Sequence, residues 1–307
     1  MNRIEKTFFA GILLIAVVTR FIYLDSIPPS LNWDEAAIGW NANGIWEAKI
    51  DEFGKRFPLS FQSYGDYKSP LYIYGISPLV GIFGMNEWTV RIPSAIAGVL
   101  TVLVMYLLAS RVSKNLGLDS TNQSIFSLTV MGLTALSPWN IVFSRAAYEA
   151  NVALFFLTTG IYLFLFGVDT NQSQIKHRLG KLVFHPISIL FTSAVMLIAS
   201  LYTYHSPKLV LLFLLPILFI LYFKRLWKIT SKHLIIALIA IIILAGLTAP
   251  LLYDNLMGGG AKRISTSIFF QDGQARSINS DLILEIITNY QAHLTPSFYL
   301  DGNSTNL

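Results

Sequence analysis

Asp34 and Glu35 stand side by side in the stretch LNWDEAAIGW, a few residues beyond the first long apolar run of the chain. A carboxylate in such a place can take the proton from an attacking hydroxyl. The other charged residues expected on the same side are Lys68 in GDYKSPLYIY, Arg91 in EWTVRIPS, Arg145 and Glu149 in SRAAYEAN, and His205 and Lys208 in YTYHSPKLV. Lysine and arginine bind a phosphate and neutralise it as it leaves. Carboxylates and cations gathered at a membrane boundary therefore suit transfer of a sugar from a lipid-linked phosphate to a hydroxyl. Asp34, Glu35 and Glu149 are the candidate acids, and Lys68, Arg91, Arg145, His205 and Lys208 the candidate phosphate contacts. Charges close to hydrocarbon are unfavourable unless they are paired or functional, so a convergent set is a site hypothesis.

Each residue also has a plainer reading. Asn32 and Glu35 have the spacing of a capping box, and acids in a first helical turn complement the helix dipole. Arg91 stands just before a span and can snorkel to headgroups. His205 and Lys208 fit ordinary helix-end residues at an interface. A single phosphate leaving group can be stabilised by cations alone, so no cofactor is obligatory. A divalent metal is compatible with that chemistry, but no His/Cys ligand spacing indicates one.

The elements that must position these residues follow from composition. The 307 residues are 54% hydrophobic and only 13% charged, with a mean hydropathy of +0.57, which is too apolar for a soluble domain. Apolar runs approach the roughly 20 residues that cross a bilayer, where backbone polar groups must be satisfied within the element. The expectation is an all-α integral membrane protein. Seven spans are expected, at 7–24, 92–110, 124–143, 150–168, 186–204, 209–223 and 234–253. Residues 25–90 form a long aromatic loop after the first span. It holds two apolar stretches, the second broken by Pro70 and Pro78, that read as helices lying at the interface.

With seven spans, Arg3, Lys6, Arg111, Lys114, Lys176, Arg178, Lys181, Lys224, Arg225, Lys228 and Lys232 all fall on one side, as the positive-inside rule requires of the cytoplasm. The N-terminus is then cytoplasmic, the protein multi-pass in a plasma or inner membrane, and the acid pair external. His177, His185 and His233 fall on the inner side, as do the glycosylation patterns at Asn122 and Asn171, which are discounted for that reason. The chain has no cysteine, and its net charge of +5 gathers in short loops, so nucleic acid is not an expected partner. Residues 1–253 read as one transmembrane module and 254–307, with His293, as an external loop beginning a further region.

The ordered segments PPSLNWDEA, YKSPLYIY, NEWTVRIPSAIAGVLTVLVMYLLASR, LSPWNIVFSRAAYEAN and SLYTYHSP resemble the GT-C glycosyltransferases of the protein O-mannosyltransferase and aminoarabinose-transferase type, including bacterial family 39/83 members. The resemblance runs to about Tyr253. It implies a multi-span helical bundle with interfacial helices in the first external loop. It also implies a polyprenyl-phosphate-linked sugar donor, a lipid, glycan or protein acceptor, and inversion at the anomeric carbon. Carried over residue by residue, it makes Asp34 the catalytic base with Glu35 beside it. Lys68 becomes a donor-phosphate contact, although the family's Lys-Pro or His-Pro element reads Lys68-Ser69-Pro70 here. Glu149, after Ser144-Arg145, stands where the family usually has Asp. Competing readings are a secondary transporter, whose charges belong near mid-membrane on broken helices, a lipid-linked oligosaccharide ligase or polymerase, and a scaffold in which the acid pair is only a cap.

Overall fold

The computed structural model describes residues 2–169, 186–231, 233–259, 270–271, 274–275, 277 and 279–293. Lys176, Arg178, Lys181, Lys232, His177, His185 and the pattern at Asn171 lie outside the described residues, as does the side chain of His293. Two compact units divide at Leu252 and Tyr253.

The first unit opens with α1 (Arg3–Phe21), whose N-terminus is closed by a capping box between Asn2 and Glu5. Next come α2 (Trp33–Glu47), a hairpin of β1 (Phe61–Ser63) and β2 (Asp66–Lys68), and α3 (Pro70–Phe83). The hairpin pairs Phe61 with Lys68 and turns through Tyr64 and Gly65. Pro70 starts α3 at the position where its missing N–H is not needed, and Gly84, at φ 79°, ends it. The two helices expected in the loop are thus present. The hairpin between them is an addition to the all-helical expectation, and its strands of three residues are too short to show an alternating pattern.

The bundle continues with α4 (Glu87–Asn115), α5 (Ser120–Leu136), α6 (Pro138–Arg145), α7 (Glu149–Asp169), α8 (Pro186–Thr203), α9 (Ser206–Ser231) and α10 (Leu234–Met257). Among the described residues, α4, α7, α8, α9 and α10 are each long and apolar enough to cross a bilayer. The expected span 124–143 is two helices, α5 and α6, bent by 53° at Ser137-Pro138, and counts as a sixth span if taken together. The protein is an all-α, multi-pass membrane protein.

The expected first span is shorter than its sequence range. α1 ends at Phe21, and its uncharged stretch runs only from Thr7 to Thr19. At about 1.5 Å per residue that covers roughly 20 Å, against about 30 Å of hydrocarbon. Arg20, which the expected span included, is enclosed by protein instead. Its guanidinium donates to the carbonyls of Ala16 (3.1 Å), Ala135 (3.2 Å) and Thr134 (3.3 Å) and to Asn140 Oδ1 (2.5 Å). Pro138 has no N–H to offer the Thr134 carbonyl, so Arg20 supplies the donors that the break in α5–α6 removes.

Three apolar cores hold the unit together. One joins α2, α3, the hairpin and α4 around Ile38, Phe61, Ile73 and Val90. A second, around Ala16, Val102 and Met131, joins α1, α4 and α5, and a third, of Leu157, Leu197 and Leu211, joins α7, α8 and α9. Small residues allow the closest approaches. A Cβ on Gly160 would lie 2.5 Å from a Leu197 methyl, and Ser193 donates to the Gly160 carbonyl at 2.7 Å. α9 and α10 turn nearly all their apolar surface outward, which suits helices whose solvent is lipid. At the ends opposite Asp34, Asp169 gathers Arg111, Arg225 and Asn115, tying α4, α7 and α9 together.

The second unit, by itself, holds the last residues of α10, a hairpin of β3 (Phe270–Gln271) and β4 (Gln274–Ala275), and α11 (Ser280–His293). Asn279 caps α11 by accepting from the Leu282 amide at 3.0 Å.

Candidate functional site

The first turn of α2 presents the two acids to different surroundings. Asn32 Oδ1 accepts from the Glu35 amide at 2.8 Å, and Glu35 Oε2 accepts from the Asn32 amide at 3.1 Å, so the capping box expected from the sequence is formed. Glu35 is also buried, at 2% exposure, and does more than cap. Its Oε1 accepts from Arg91 Nε at 2.8 Å and from the Ala147 amide at 3.0 Å, while Oε2 accepts from Arg91 Nη2 at 3.1 Å. One carboxylate thereby joins α2, α4 and the α6–α7 connection through four hydrogen bonds.

Arg91 is equally occupied. Beyond Glu35, its Nη1 donates to the carbonyls of Leu24 (3.0 Å) and Pro28 (2.9 Å), and its Nη2 to that of Ser30 (2.6 Å). All five N–H donors of the guanidinium are used inside the protein. Arg145 donates to carbonyls at the end of α1 and in the chain after it, those of Thr19 and Ile22 (both 2.8 Å), Tyr23 (3.1 Å) and Ile27 (2.9 Å). Arg91 and Arg145, the expected donor-phosphate contacts, are placed here on backbone carbonyls between Thr19 and Ser30, most of them in the irregular chain after α1. Glu35 accepts two hydrogen bonds on each carboxylate oxygen, all from within the protein.

The neighbour of Glu35 is Asp34. Its side chain is 42% exposed, and its Oδ1 forms an ion pair with Lys68 Nζ. Lys68 ends β2 and is 5% exposed, so the hairpin carries a buried ammonium to the first turn of α2. Burial makes a lone ammonium unfavourable, and the carboxylate compensates it.

The connection between α8 and α9 reaches the same hairpin. His205 Nε2 lies 3.1 Å from the Tyr67 carbonyl, and its Nδ1 lies 3.1 Å from Lys208 Nζ. An ammonium can only donate, so Nδ1 is the acceptor and Nε2–H donates to Tyr67. His205 and Lys208 are thus brought to the residue adjoining Lys68. Glu149 opens α7 and is half-buried. With Glu35 it acts on the phenol of Tyr72, which donates to the Val90 carbonyl at 2.9 Å. Burial first, and these two carboxylates second, hold that phenol above the usual range, against a backbone hydrogen bond at Ser94.

An apolar groove of about 410 Å3 lies between α3, α4 and α7, lined by residues that include Tyr72, Ile76, Pro93, Ile96 and Phe155. A second cavity of about 650 Å3 lies between α5, α6, α7 and α9, next to Trp139, Asn151 and Pro207. Among the described residues no three His, Asp or Glu side chains gather in a way that would hold a metal ion.

The structure therefore brings together Asp34, Lys68, His205 and Lys208, and joins Glu35 to Arg91 beneath them. Sequence reasoning missed Arg20, though a charge inside an apolar run was a visible signal. It also missed the Tyr67 carbonyl, which leaves no trace in residue types. Compared with protein-family models, curated proteins and solved structures, the chain gives no match.

Proposed function

We propose that the protein is a membrane glycosyltransferase of the GT-C type, moving a sugar from a polyprenyl-phosphate-linked donor to an acceptor hydroxyl on the external face of the cell membrane. The observation that carries the reading is the Asp34–Lys68 pair, a half-exposed carboxylate against a buried ammonium, with an apolar groove between neighbouring helices. A base and a phosphate-binding cation are the two groups that such a transfer needs.

In this mechanism the acceptor oxygen attacks the anomeric carbon and the bond from that carbon to the phosphate oxygen breaks. The hydroxyl proton goes to Asp34, and the lipid phosphate leaves with the bonding electron pair, its charge met by Lys68 and Lys208. Attack opposite the leaving group inverts the anomeric centre. Glu35 and Arg91 orient Asp34 through the first turn of α2, His205 holds Lys208 to the hairpin, and Glu149 stands as a second acid at the start of α7. The groove lined by Ile76, Ile96 and Phe155 suits the isoprenoid chain. The transporter reading draws less support, because the carbonyls exposed at the broken α5–α6 helix are met by Arg20 and not left for a substrate.

The test uses membranes containing the protein, incubated with radiolabelled polyprenyl-phosphate sugars. Wild type should transfer label and Asp34→Asn, at matched expression, should lose about 10²- to 10⁴-fold. Equal transfer by both would remove Asp34 from the mechanism, and no transfer from any donor would overturn the glycosyltransferase reading.

A further inference from the structure

Trp33 and Tyr64 stack on each other with ring centroids 5.9 Å apart and planes 29° from parallel. They are 70% and 71% exposed. Trp33 immediately precedes Asp34, and Tyr64 forms the tip of the hairpin whose last residue, Lys68, pairs with Asp34. The two rings therefore come from the same two elements, the first turn of α2 and the hairpin, that hold the Asp34–Lys68 pair.

Folding gives no reason for either ring. The aromatic share of the local core is supplied by Phe61 and Tyr72, both buried, with Tyr74 packed edge-on against Phe61. Tyr64 is also an unfavourable choice for its backbone. It sits at φ 49° beside Gly65 at φ 80°, in a tight turn where both central residues have positive φ and Asn, Asp or Gly are preferred. A bulky side chain in the left-handed region is an outlier. A residue that strains its turn and leaves its ring in solvent, next to a candidate base, points to a task for the ring.

We propose that Trp33 and Tyr64 form the acceptor subsite and that the acceptor is a saccharide, an inference that rests on the glycosyltransferase reading. A pyranose offers a face of C–H groups to an aromatic ring and hydroxyls around its edge. The stacked pair matches this with apolar ring faces and with a carboxylate, Asp34, as the residue next to Trp33 in the first turn of α2. A sugar stacked there would present a hydroxyl to the only candidate acid of the first turn of α2 that is not enclosed.

The experiment uses the protein in nanodiscs. Saturation-transfer NMR titrations with maltotetraose and with chitotetraose measure binding, and label transfer to the same oligosaccharides measures turnover. Wild type should bind at least one of them. Trp33→Ala and Tyr64→Ala should weaken that binding at least about tenfold, whereas Trp33→Phe should stay within about threefold of wild type, because it keeps a stacking face. The KM for the saccharide should rise in the alanine variants while the KM for the donor stays unchanged. Asp34→Asn should bind the saccharide as wild type does while transfer is lost; if both are kept, the saccharide site stands and Asp34 is removed as the base, whereas saccharide binding by wild type with no transfer from any donor leaves the site standing and overturns the glycosyltransferase reading. Absence of binding to either oligosaccharide in wild type, or unchanged binding in Trp33→Ala, overturns the proposal. So does quenching by brominated lipids of Trp33 as the single tryptophan, the other five replaced by Phe, which would make the pair a membrane anchor.

Discussion

Lys68 is buried and Asp34 is half-exposed, so their ion pair joins a cation that cannot reach water to a carboxylate that can. A phosphate arriving at Lys68 competes with Asp34 for one ammonium and leaves the carboxylate freer to accept a proton. Lys68→Met should therefore lower kcat/KM for the donor by about 10²-fold or more, with folding retained because Asp34 can be hydrated. Lys68→Arg should recover part of the loss. Kinetics with varied donor, alongside thermal melts of each variant, check this.

The buried pair below should behave in the opposite way. Arg91→Met leaves Glu35 charged, buried and short of two donors, and strips donors from three backbone carbonyls. A loss of about 3–5 kcal/mol is expected, with Glu35→Gln costing less. Denaturant unfolding followed by tryptophan fluorescence measures both, and an Arg91→Met protein as stable as wild type would remove the pair from its structural role.

Gly98 is the second position where size decides. A Cβ there would lie 2.0 Å from Ser144 Oγ, 2.6 Å from Ser144 Cβ and 3.1 Å from Arg20 Nε. Rotating the hydroxyl away leaves the Cβ overlap in place. Gly98→Ala should therefore push α4 and α6 apart and destabilise by about 1–3 kcal/mol, as overpacking does. Ser144→Gly in the same chain should restore most of the melting temperature.

Alkaline pH should loosen the loop between α2 and α3. The Tyr74 phenol donates to the Pro58 carbonyl at 2.9 Å, and burial, with Asp51 adding, pushes its pKa up to about 12. A raised folded-state value means that the contribution is complete below the ordinary phenol pKa of 10 and is lost as pH rises toward 12. Melting temperature should fall across that window, and less steeply in Tyr74→Phe. An identical slope in both proteins would assign the alkaline loss to other groups.

Much of this architecture was legible in the sequence, and the reasons differ by element. The apolar runs that became α4, α7, α8, α9 and α10 were long enough to be read directly. Asn32 and Glu35 announced a capping box, which formed. The hairpin at 61–68 was hidden because its strands are too short for alternation, and its Tyr-Gly turn is not one of the preferred pairs. The protein partners of Arg91 and Arg145 were not legible because residue type shows that a guanidinium needs acceptors, not which ones. Here most of the acceptors are carbonyls between Thr19 and Ser30, a matter of tertiary placement. The first span, expected at 7–24, was drawn too long for the same reason, since carbonyls that take Arg20 belong to the end of α5.

Arg20 also bears on how the chain is made. Its partners at Thr134 and Ala135 are 114 and 115 residues further along, so α1 leaves the ribosome long before the groups that accept its guanidinium exist. Until α5 and α6 are synthesised and delivered to the bilayer, that positive charge needs water, a headgroup or the insertion machinery for company. The pairing that encloses Arg20 is thus complete only once α5 and α6 have both been made and folded against α1.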